Sequence, residues 1–289
     1  MKKITKDILK TIYKPRKAET HKYDYGLLLI IGGSQFYSGS PALAGLAAFR
    51  TGVDMVYIIA PKRAADIIAS FSPNLAAYPL EGKRLENQHL STLLEMTKSA
   101  EIVTHGKTAV VIGGGMGRSP ETQETILEYL SQIKIPAVID ADAIYAVAKK
   151  PQVLENKPFL ITPHAYEFFV LTGKEILAKK DEEKIKIVKE EAQRLKTTIL
   201  LKGKLDIIAD FKRDEIAISK YGHPSMSVGG TGDTLAGIAG CFLARGENCF
   251  KAAGAAAYIN GSAGERAAKK LGETMTATDL IEEIPNVLK

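Results

Sequence analysis

Tryptophan is absent from the 289-residue sequence, cysteine occurs only twice, and aromatic residues make up 7% of the chain. The two cysteines, Cys241 and Cys249, are too few for a disulfide framework and lack the spacing of a zinc site. Apolar runs are short, as in Leu27–Ile31, and none approaches the roughly 20 residues that a membrane span needs. The first ten residues also lack the apolar stretch of a secretory signal. We therefore expect a cytoplasmic protein without a membrane segment.

Clustered charge of one sign is lacking as well. The chain has 39 Lys and Arg against 33 Asp and Glu residues, which leaves a net charge of +6. The basic residues alternate with acidic ones, for example between Lys179 and Lys196, as on a solvated helix face. Because no basic segment is interleaved with aromatic residues, we expect no nucleic-acid partner. The positive excess instead favours anionic small molecules such as nucleotides.

Hydrophobic residues make up 45% of the sequence, which is sufficient for a large core. Short apolar runs alternate with helical patterns, which predicts βαβ units and a parallel sheet covered on both faces. No linker or fixed repeat divides the chain, so we expect a single domain over residues 1–289. The predicted strands are 27–31, 55–60, 108–112, 137–139, 159–161 and 198–201, with a hairpin over 205–210 and 215–219. The predicted helices are 41–50, 121–132, 181–195, 231–244 and 250–269.

Five of the predicted strands end in clusters of glycine or polar residues. In open α/β sheets, ligands bind outside the carboxyl ends of the strands, so these clusters are expected to meet at one crevice. The clusters are Gly32–Ser34, Gly113–Gly117, Asp140–Asp142, Thr162–His164 and Lys202–Gly203.

A sixth cluster, Ser227–Gly237, carries the sharpest functional signal in the sequence. Its glycines, including Gly230 and Gly232, precede a predicted helix, and exposed N–H groups at a helix N-terminus form an anion site. Asp233 at the start of this helix can act as a general base on a bound group. Asp233 as a simple helix cap is the structural alternative. The segment is not a P-loop, because the Gly-Lys-Ser/Thr ending is absent.

The other clusters leave functional and structural interpretations open. His164 can bind substrate or move protons, or Thr162 can cap a helix that starts at Pro163. Asp140 and Asp142 can hold Mg²⁺ through water, or Asp142 can cap the following helix.

Three glycine-containing clusters leave similar alternatives. The glycines of Gly113–Gly117 suit close backbone approach to a ligand. Lys202 can pair with a nucleotide phosphate, or be a solvated lysine in a turn. Gly32–Ser34 can lie over a ligand or form an ordinary loop.

Of the other histidines, we expect His21, His89 and His105 at the surface and leave His223 unassigned.

Taken in order, the motifs GGS, GGGMG, VIDADA, ITPHAYEF, LLKG and GGTGDTLAG identify a family. The sequence resembles the ADP- or ATP-dependent NAD(P)H-hydrate dehydratases of the ribokinase-like superfamily, from about residue 21 to 280. The resemblance implies a ribokinase-like three-layer α/β/α sandwich with a mostly parallel central sheet. It also implies repair of hydrated NADH or NADPH with consumption of ADP or ATP and with Mg²⁺. Many relatives carry an N-terminal epimerase domain, which we do not expect here.

The resemblance also assigns roles to individual residues. Asp233 is expected to be catalytic, with Gly230, Thr231 and Gly232 as anion-binding amides. Ala42, Gly115, His164 and Asp233 are expected to contact the hydrate, and Lys202, Gly203, Lys204 and Gly232 the nucleotide. No residue is assigned to a protein-bound metal site, and a homo-oligomer is expected because the family often forms one.

The sequence departs from the family pattern at Tyr166, where a glycine usually precedes Glu167. A tyrosine at this position is expected to narrow the pocket or to stack on a ring.

The alternative function is a ribokinase-like kinase that phosphorylates a hydroxyl of a vitamin precursor or a sugar. A nucleotide-binding regulator without turnover is disfavoured, since pure binding does not require a base at Asp233.

Overall fold

The computed structural model describes residues 1–289 and contains one ten-stranded sheet. In chain order the strands are β1 (Lys2–Lys3), β2 (Leu27–Ile31), β3 (Met55–Pro61), β4 (Ala76–Leu80), β5 (Thr108–Ile112), β6 (Ala137–Ile139), β7 (Phe159–Ile161), β8 (Thr198–Leu201), β9 (Asp206–Asp210) and β10 (Glu215–Ser219). Their order across the sheet is β1-β10-β9-β8-β7-β6-β5-β2-β3-β4. Only the pairs β8/β9 and β9/β10 are antiparallel. The sheet is therefore mostly parallel, as the sequence predicts.

Eleven α-helices cover the sheet. They are α1 (Asp7–Ile12), α2 (Gly39–Thr51), α3 (Lys62–Phe71), α4 (Leu90–Val103), α5 (Pro120–Gln132), α6 (Asp142–Lys149), α7 (Ala165–Thr172), α8 (Asp181–Leu195), α9 (Thr231–Ala244), α10 (Cys249–Leu271) and α11 (Ala277–Leu288). None of them is both long and apolar enough to cross a lipid bilayer.

The strands form the middle layer because they are apolar on both faces. In β2, Leu28 and Ile30 pack into one core, whereas Leu27, Leu29 and Ile31 pack into the other. Successive side chains of a strand point to opposite faces, so an uninterrupted apolar run requires a cover on each side. The first core includes residues of α1, α2, α3, α9, α10 and α11, and the second includes residues of α4 to α8. The architecture is a three-layer α/β/α sandwich.

Residues 62–107 contain three elements that the sequence analysis does not predict, namely α3, β4 and α4. Strand β4 lies at the edge of the sheet, contains Pro79 and is mostly exposed. An edge strand lacks the continuous apolar run of a buried strand, and proline is tolerated there, so its pattern is weak.

His89 lies in the same region and is buried, contrary to the expectation of a surface position. Its Nδ1 accepts a hydrogen bond from the Glu86 N–H at 3.0 Å, and its Nε2 lies 2.8 Å from the Glu81 carbonyl oxygen. The ring therefore ties together the loop that follows β4.

The alanine-rich segment Ala252–Ala257 of α10 lies in the core of the chain itself. Its small side chains allow α10 to lie close to α9 and the sheet.

Candidate active site

The carboxyl ends of β2, β5, β6, β7 and β8 lie side by side, since these five strands are adjacent and parallel. The clusters that follow them in sequence therefore share one edge of the sheet. Gly32, Gly114 and Asp140 line one small cavity with Asp233, whereas His164, Lys202 and Gly203 line a separate cleft.

Helix α9 begins at this edge within the glycine-rich segment Ser227–Gly237. Its N-cap is Gly230, and no side chain caps the first turn. The N–H groups at this end of the helix are thus available to an anion, and the helix dipole favours negative charge there. Asp233 is the third residue of the helix, so the alternative of Asp233 as a simple cap is wrong.

Asp233 is a partly buried carboxyl group with a perturbed pKa. Burial and the neighbouring Asp140 raise the pKa of Asp233 to about 7, while Ser40 and Lys202 act in the opposite direction. A carboxyl group with a pKa near neutrality can both accept and return a proton at physiological pH. Asp233 therefore has the property that a general base requires.

Lys202 and Asp140 form an ion pair close enough to Asp233 to affect its pKa. The Lys202 Nζ lies 2.7 Å from Asp140 Oδ1 and 3.8 Å from Glu167 Oε2. Burial alone would lower the pKa of Lys202, but the two carboxylates outweigh it and the pKa is raised. Lys202 is therefore a partly buried cation paired with carboxylates, and the alternative of a solvated lysine in a turn is wrong.

Asp140 and Asp142 do not act as a pair of carboxylates. Asp140 also accepts a hydrogen bond from Thr162 at 2.7 Å, whereas Asp142 accepts one from the Gly117 N–H at 2.9 Å and binds Arg118. Asp142 is the first residue of α6 rather than its cap. No three His, Cys, Asp or Glu side chains are arranged to hold a metal ion. The carboxylates, already held by cations and hydroxyl or N–H donors, do not fit a magnesium site built by the protein.

His164 has the helix-capping role that the sequence analysis considers for Thr162. Its Nδ1 accepts hydrogen bonds from the N–H groups of Tyr166 and Glu167, and Glu167 accepts one from the His164 N–H. His164 is thus the N-cap of α7, and the alternative of a cap at Thr162 is wrong. Burial raises the pKa of Glu167 despite the nearby Lys202. The His164 imidazole remains half exposed and borders the cleft next to Lys202, which is described below.

The Gly113–Gly117 loop requires glycine for steric reasons. Gly113 has a φ of +131°, and a Cβ there would lie 1.8 Å from the Asp140 carbonyl oxygen. A Cβ on Gly114 would lie 2.9 Å from both Asp233 Oδ1 and the Ser40 Cβ. The backbone of this loop therefore approaches the carboxylate of Asp233 more closely than any side chain would allow.

The first turn of α2 lies beside the same carboxylate. Ser40 lines a small cavity with Asp233, Asp140 and Gly114, and its side chain lowers the pKa of Asp233 against the effect of burial. Ala42 is buried in the core and does not line this cavity. Gly115 lies against the ring of Tyr37. Ser40 is a site residue that the sequence analysis does not identify.

A cleft of about 730 Å³ opens next to Lys202 and the start of α9. A volume of this size suits a nucleotide-sized ligand. The cleft is lined by all of the residues expected to contact the nucleotide, which are Lys202, Gly203, Lys204 and Gly232, and by Thr231 and His164. The structure thus brings these residues together at one surface.

The cleft also contains polar residues that the sequence analysis does not assign. Burial raises the pKa of Asp206 to about 7, and its carboxylate accepts a hydrogen bond from the Gly203 N–H at 3.0 Å. Asn260 of α10 accepts a hydrogen bond from Thr234 and donates one to the Thr231 carbonyl oxygen, which holds the first turn of α9. A polar residue within the alanine-rich helix was the only sequence signal for Asn260.

Tyr166 does not narrow the cleft. It is 58% exposed, packs against Phe169 with the ring centroids 6.3 Å apart, and is not among the residues that line the cleft. Tyr166 therefore does not narrow this cleft, and its stacking on a ring stays a prediction.

Comparison with known protein families decides the family of this chain. Residues 28–286 match the family model described as NAD(P)H-hydrate dehydratase. The chain belongs to the NAD(P)H-hydrate dehydratase family. It is 41% identical over 276 residues to a bifunctional NAD(P)H-hydrate repair enzyme of Pyrobaculum aerophilum, covering 95% of this chain and 52% of that protein. The chain spans about half the length of such bifunctional relatives.

Full-length relatives of the dehydratase family also match. The chain is 35% identical over 293 residues to the ADP-dependent (S)-NAD(P)H-hydrate dehydratase of Nitrosopumilus maritimus, covering 100% of this chain and 97% of that protein. The ADP/ATP-dependent NAD(P)H-hydrate dehydratase of Bacillus subtilis, co-crystallised with ATP/Mg²⁺, superposes with a TM-score of 0.80 at 25% identity. That match covers 99% of this chain and 97% of the solved one. The predicted ribokinase-like sandwich is confirmed.

Proposed function

We propose that the protein dehydrates hydrated NADH and NADPH back to NAD(P)H, and that ADP or ATP donates a phosphoryl group. The observation that carries this proposal is Asp233, whose pKa is raised to about 7 between the nucleotide-sized cleft and the Gly113–Gly117 loop. Family membership favours this reaction over phosphorylation of a vitamin precursor or sugar. ADP is the expected donor because two full-length relatives are ADP-dependent enzymes.

The donor nucleotide occupies the cleft of about 730 Å³ in this proposal, with its terminal phosphate at the first turn of α9. The N–H groups of Thr231, Gly232 and Asp233 face the transferring phosphate, and the helix dipole stabilises its charge. Lys202 adds a positive charge near Gly232, since a Cβ on that glycine would lie 3.5 Å from the Lys202 Nζ. Lys204 and Gly203 lie at the exposed side of the cleft.

Asp233 acts as the general base in the proposed reaction. It accepts the proton of the hydrate hydroxyl while the hydroxyl oxygen forms a bond to phosphorus and the donor's phosphoanhydride bond breaks. The C–O bond of the phosphorylated hydrate then breaks, inorganic phosphate leaves, and the adjacent carbon loses a proton as the ring double bond forms. Gly114 and Gly115 allow the ring of the hydrate to approach Asp233, and His164 borders the same space.

We propose that Mg²⁺ enters with the nucleotide, because Mg²⁺ is often held mainly by substrate phosphates and water. Asp140 and Asp142 are already bound to Lys202 and Arg118, which leaves no carboxylate cage for a resident ion. When bound, Mg²⁺ neutralises part of the phosphate charge.

Regain of reduced-nicotinamide absorbance from NADH hydrate, with ADP and ATP in parallel assays, tests the proposal. Wild-type protein should restore the absorbance, faster with ADP, and Asp233→Asn should lower kcat by about a hundredfold to ten-thousandfold with the fold intact. Asp181→Asn, at an exposed aspartate of α8 that does not line the cleft, serves as the control. A folded wild-type protein that binds ADP without restoring absorbance would favour the kinase instead.

We further propose a single domain over residues 1–289 and a cytoplasmic homo-oligomer. The single ten-stranded sheet supports one domain, and two free buried cysteines suit a reducing compartment.

Exposed apolar side chains near α7, namely Tyr166, Phe169 and Leu177, support contact with a second subunit. Light scattering of the wild type and Leu177→Glu tests the assembly, and a monomeric wild type would contradict it.

A further inference from the structure

A second pocket lies at the same edge of the sheet, on the side of β4, and we name it the β4-side pocket. It has a volume of about 530 Å³ and is lined by residues 34–36 after β2, 82–84 and 86 after β4, and 116–119 after β5. The Lys202 cleft lies on the β8 side. The Gly113–Gly117 loop, with Asp233 against Gly114, lies between the two pockets.

In the β4-side pocket, the aromatic ring of Phe36 is exposed to solvent on a loop that is held by hydrogen bonds. Phe36 is 90% exposed, which is unusual for a side chain of this size. Its neighbour Gln35 donates a backbone hydrogen bond to the Lys83 carbonyl oxygen at 2.7 Å, and Arg63 donates one to the Gln35 carbonyl oxygen at 2.6 Å. The backbone that carries the ring is therefore held in place, and the exposed ring is available to stack on a planar ligand.

The same pocket offers one positive charge that no acid of the protein neutralises. Arg84 pairs with Glu86 at 3.2 Å and Arg118 with Asp142 at 2.7 Å, so both guanidinium groups have partners. Lys83 is exposed and forms no ion pair. An aromatic surface beside an unpaired ammonium group suits a ligand that has both a planar ring and a phosphate.

The geometry of the edge restricts which part of a dinucleotide can reach this pocket. In the proposed reaction, the hydrated ring lies at Asp233 and the phosphoryl donor fills the Lys202 cleft. The rest of the dinucleotide then has to extend towards β4, past the Tyr37 ring, which lies against Gly115. We propose that the β4-side pocket binds the adenylate half of the hydrated dinucleotide, with adenine on Phe36 and a phosphate at Lys83.

This inference rests on the proposed function, and steady-state kinetics with two substrates separate the two. The substrates are NADH hydrate and the hydrate of the reduced nicotinamide mononucleotide, which lacks the adenylate half. The variants are Phe36→Ala and Lys83→Ala. Phe71→Ala, at another exposed phenylalanine, and Lys269→Ala, at another exposed lysine, are the matched controls.

Phe36→Ala and Lys83→Ala should raise the KM for NADH hydrate about tenfold, as expected for loss of base stacking or a phosphate contact. The KM for ADP and the kcat should not change. The kinetics of the mononucleotide hydrate should be the same in the variants and in the wild type, and the two controls should match the wild type with both substrates.

Three results would overturn the inference while leaving the proposed function intact. One is an unchanged KM for NADH hydrate in both variants, and another is an equal rise in KM for both hydrates. The third is a rise in the KM for ADP, which would place the donor in the β4-side pocket. If the folded wild type turns over neither hydrate, the proposed function itself fails. Since Phe36 and Lys83 are exposed, their replacement should leave the unfolding temperature unchanged, which circular dichroism verifies.

Discussion

Asp233 links the chemistry of the site to pH at the scale of a single residue. Burial and Asp140 raise its pKa to about 7, so the carboxylate that accepts a proton is formed only as the pH rises through neutrality. The sequence identified Asp233 from its glycine-rich surroundings. The shift in its pKa depends on Asp140 and on burial, and neither is visible in the local sequence.

The kcat/KM of the dehydration should therefore increase with pH and level off above about 7, because the base is active when deprotonated. The residual activity of Asp233→Asn should lack this ascending limb. Asp206 has a similar pKa, so Asp206→Asn is the control and should retain the limb. A pH profile of the wild type that is flat between pH 5 and 9 would contradict the role of Asp233 (a range on the order of two pH units on either side of that pKa).

Lys202 should matter for stability as well as for activity. Lys202→Met leaves the buried Asp140 without its partner, and loss of one partner of a buried pair costs about 3–5 kcal/mol. Urea unfolding measures this change in the free energy of unfolding. The double variant Asp140→Asn/Lys202→Met should recover much of the stability but not the activity. Full stability of the single variant would show that the pair is not buried as described.

At the scale of elements, helix α7 combines a structural and a functional position in one residue. His164 caps the helix through its Nδ1, while its imidazole borders the cleft. The sequence left open a substrate contact at His164 or a helix cap at Thr162, and the structure places the cap at His164. The reason is that Thr162 has a partner from another strand, Asp140, which only the sheet brings close.

Two substitutions separate the cap from the substrate contact. His164→Ala should lower the free energy of unfolding by about 1 kcal/mol, because two N–H groups lose their acceptor. His164→Asn should restore that stability, since asparagine is a good N-cap, yet the KM for the hydrate should stay raised. Unfolding curves and steady-state kinetics of both variants provide the measurement. Recovery of the KM in His164→Asn would indicate that His164 acts only as a cap.

At the scale of the whole molecule, the cleft joins distant parts of the chain. It is lined by the turn after β8, the 3₁₀ segment Pro224–Met226, the first turn of α9 and the middle of α10. A nucleotide bound there would contact these four segments and stabilise the folded state by mass action. Stabilisation by ligand amounts to about 2.7 kcal/mol when the ligand is at a hundred times its Kd.

ADP should therefore raise the unfolding temperature of the wild type, and Lys204→Glu should reduce this rise by repelling the phosphates. Lys174→Glu, at an exposed lysine that does not line the cleft, is the matched control and should respond like the wild type. Thermal unfolding at increasing ADP concentrations gives the comparison. An equal response of both variants would exclude Lys204 from the nucleotide site.

The sequence by itself determined the alternation of buried strands and helices, and with it the sheet edge where glycine and polar clusters meet. These features are readable because strand apolarity, glycine and capping residues act locally. It did not predict β4, whose exposed edge position leaves a weak pattern.

Only the tertiary structure decided which side chains are partners. Lys202 and Asp140 are separated by 62 residues, and Asn260 and Thr234 by 26, so their contacts depend on the strand order and on the packing of α10 against α9. The buried charges, and hence the pKa of Asp233, follow from that packing, because desolvation is a property of the folded molecule rather than of a segment.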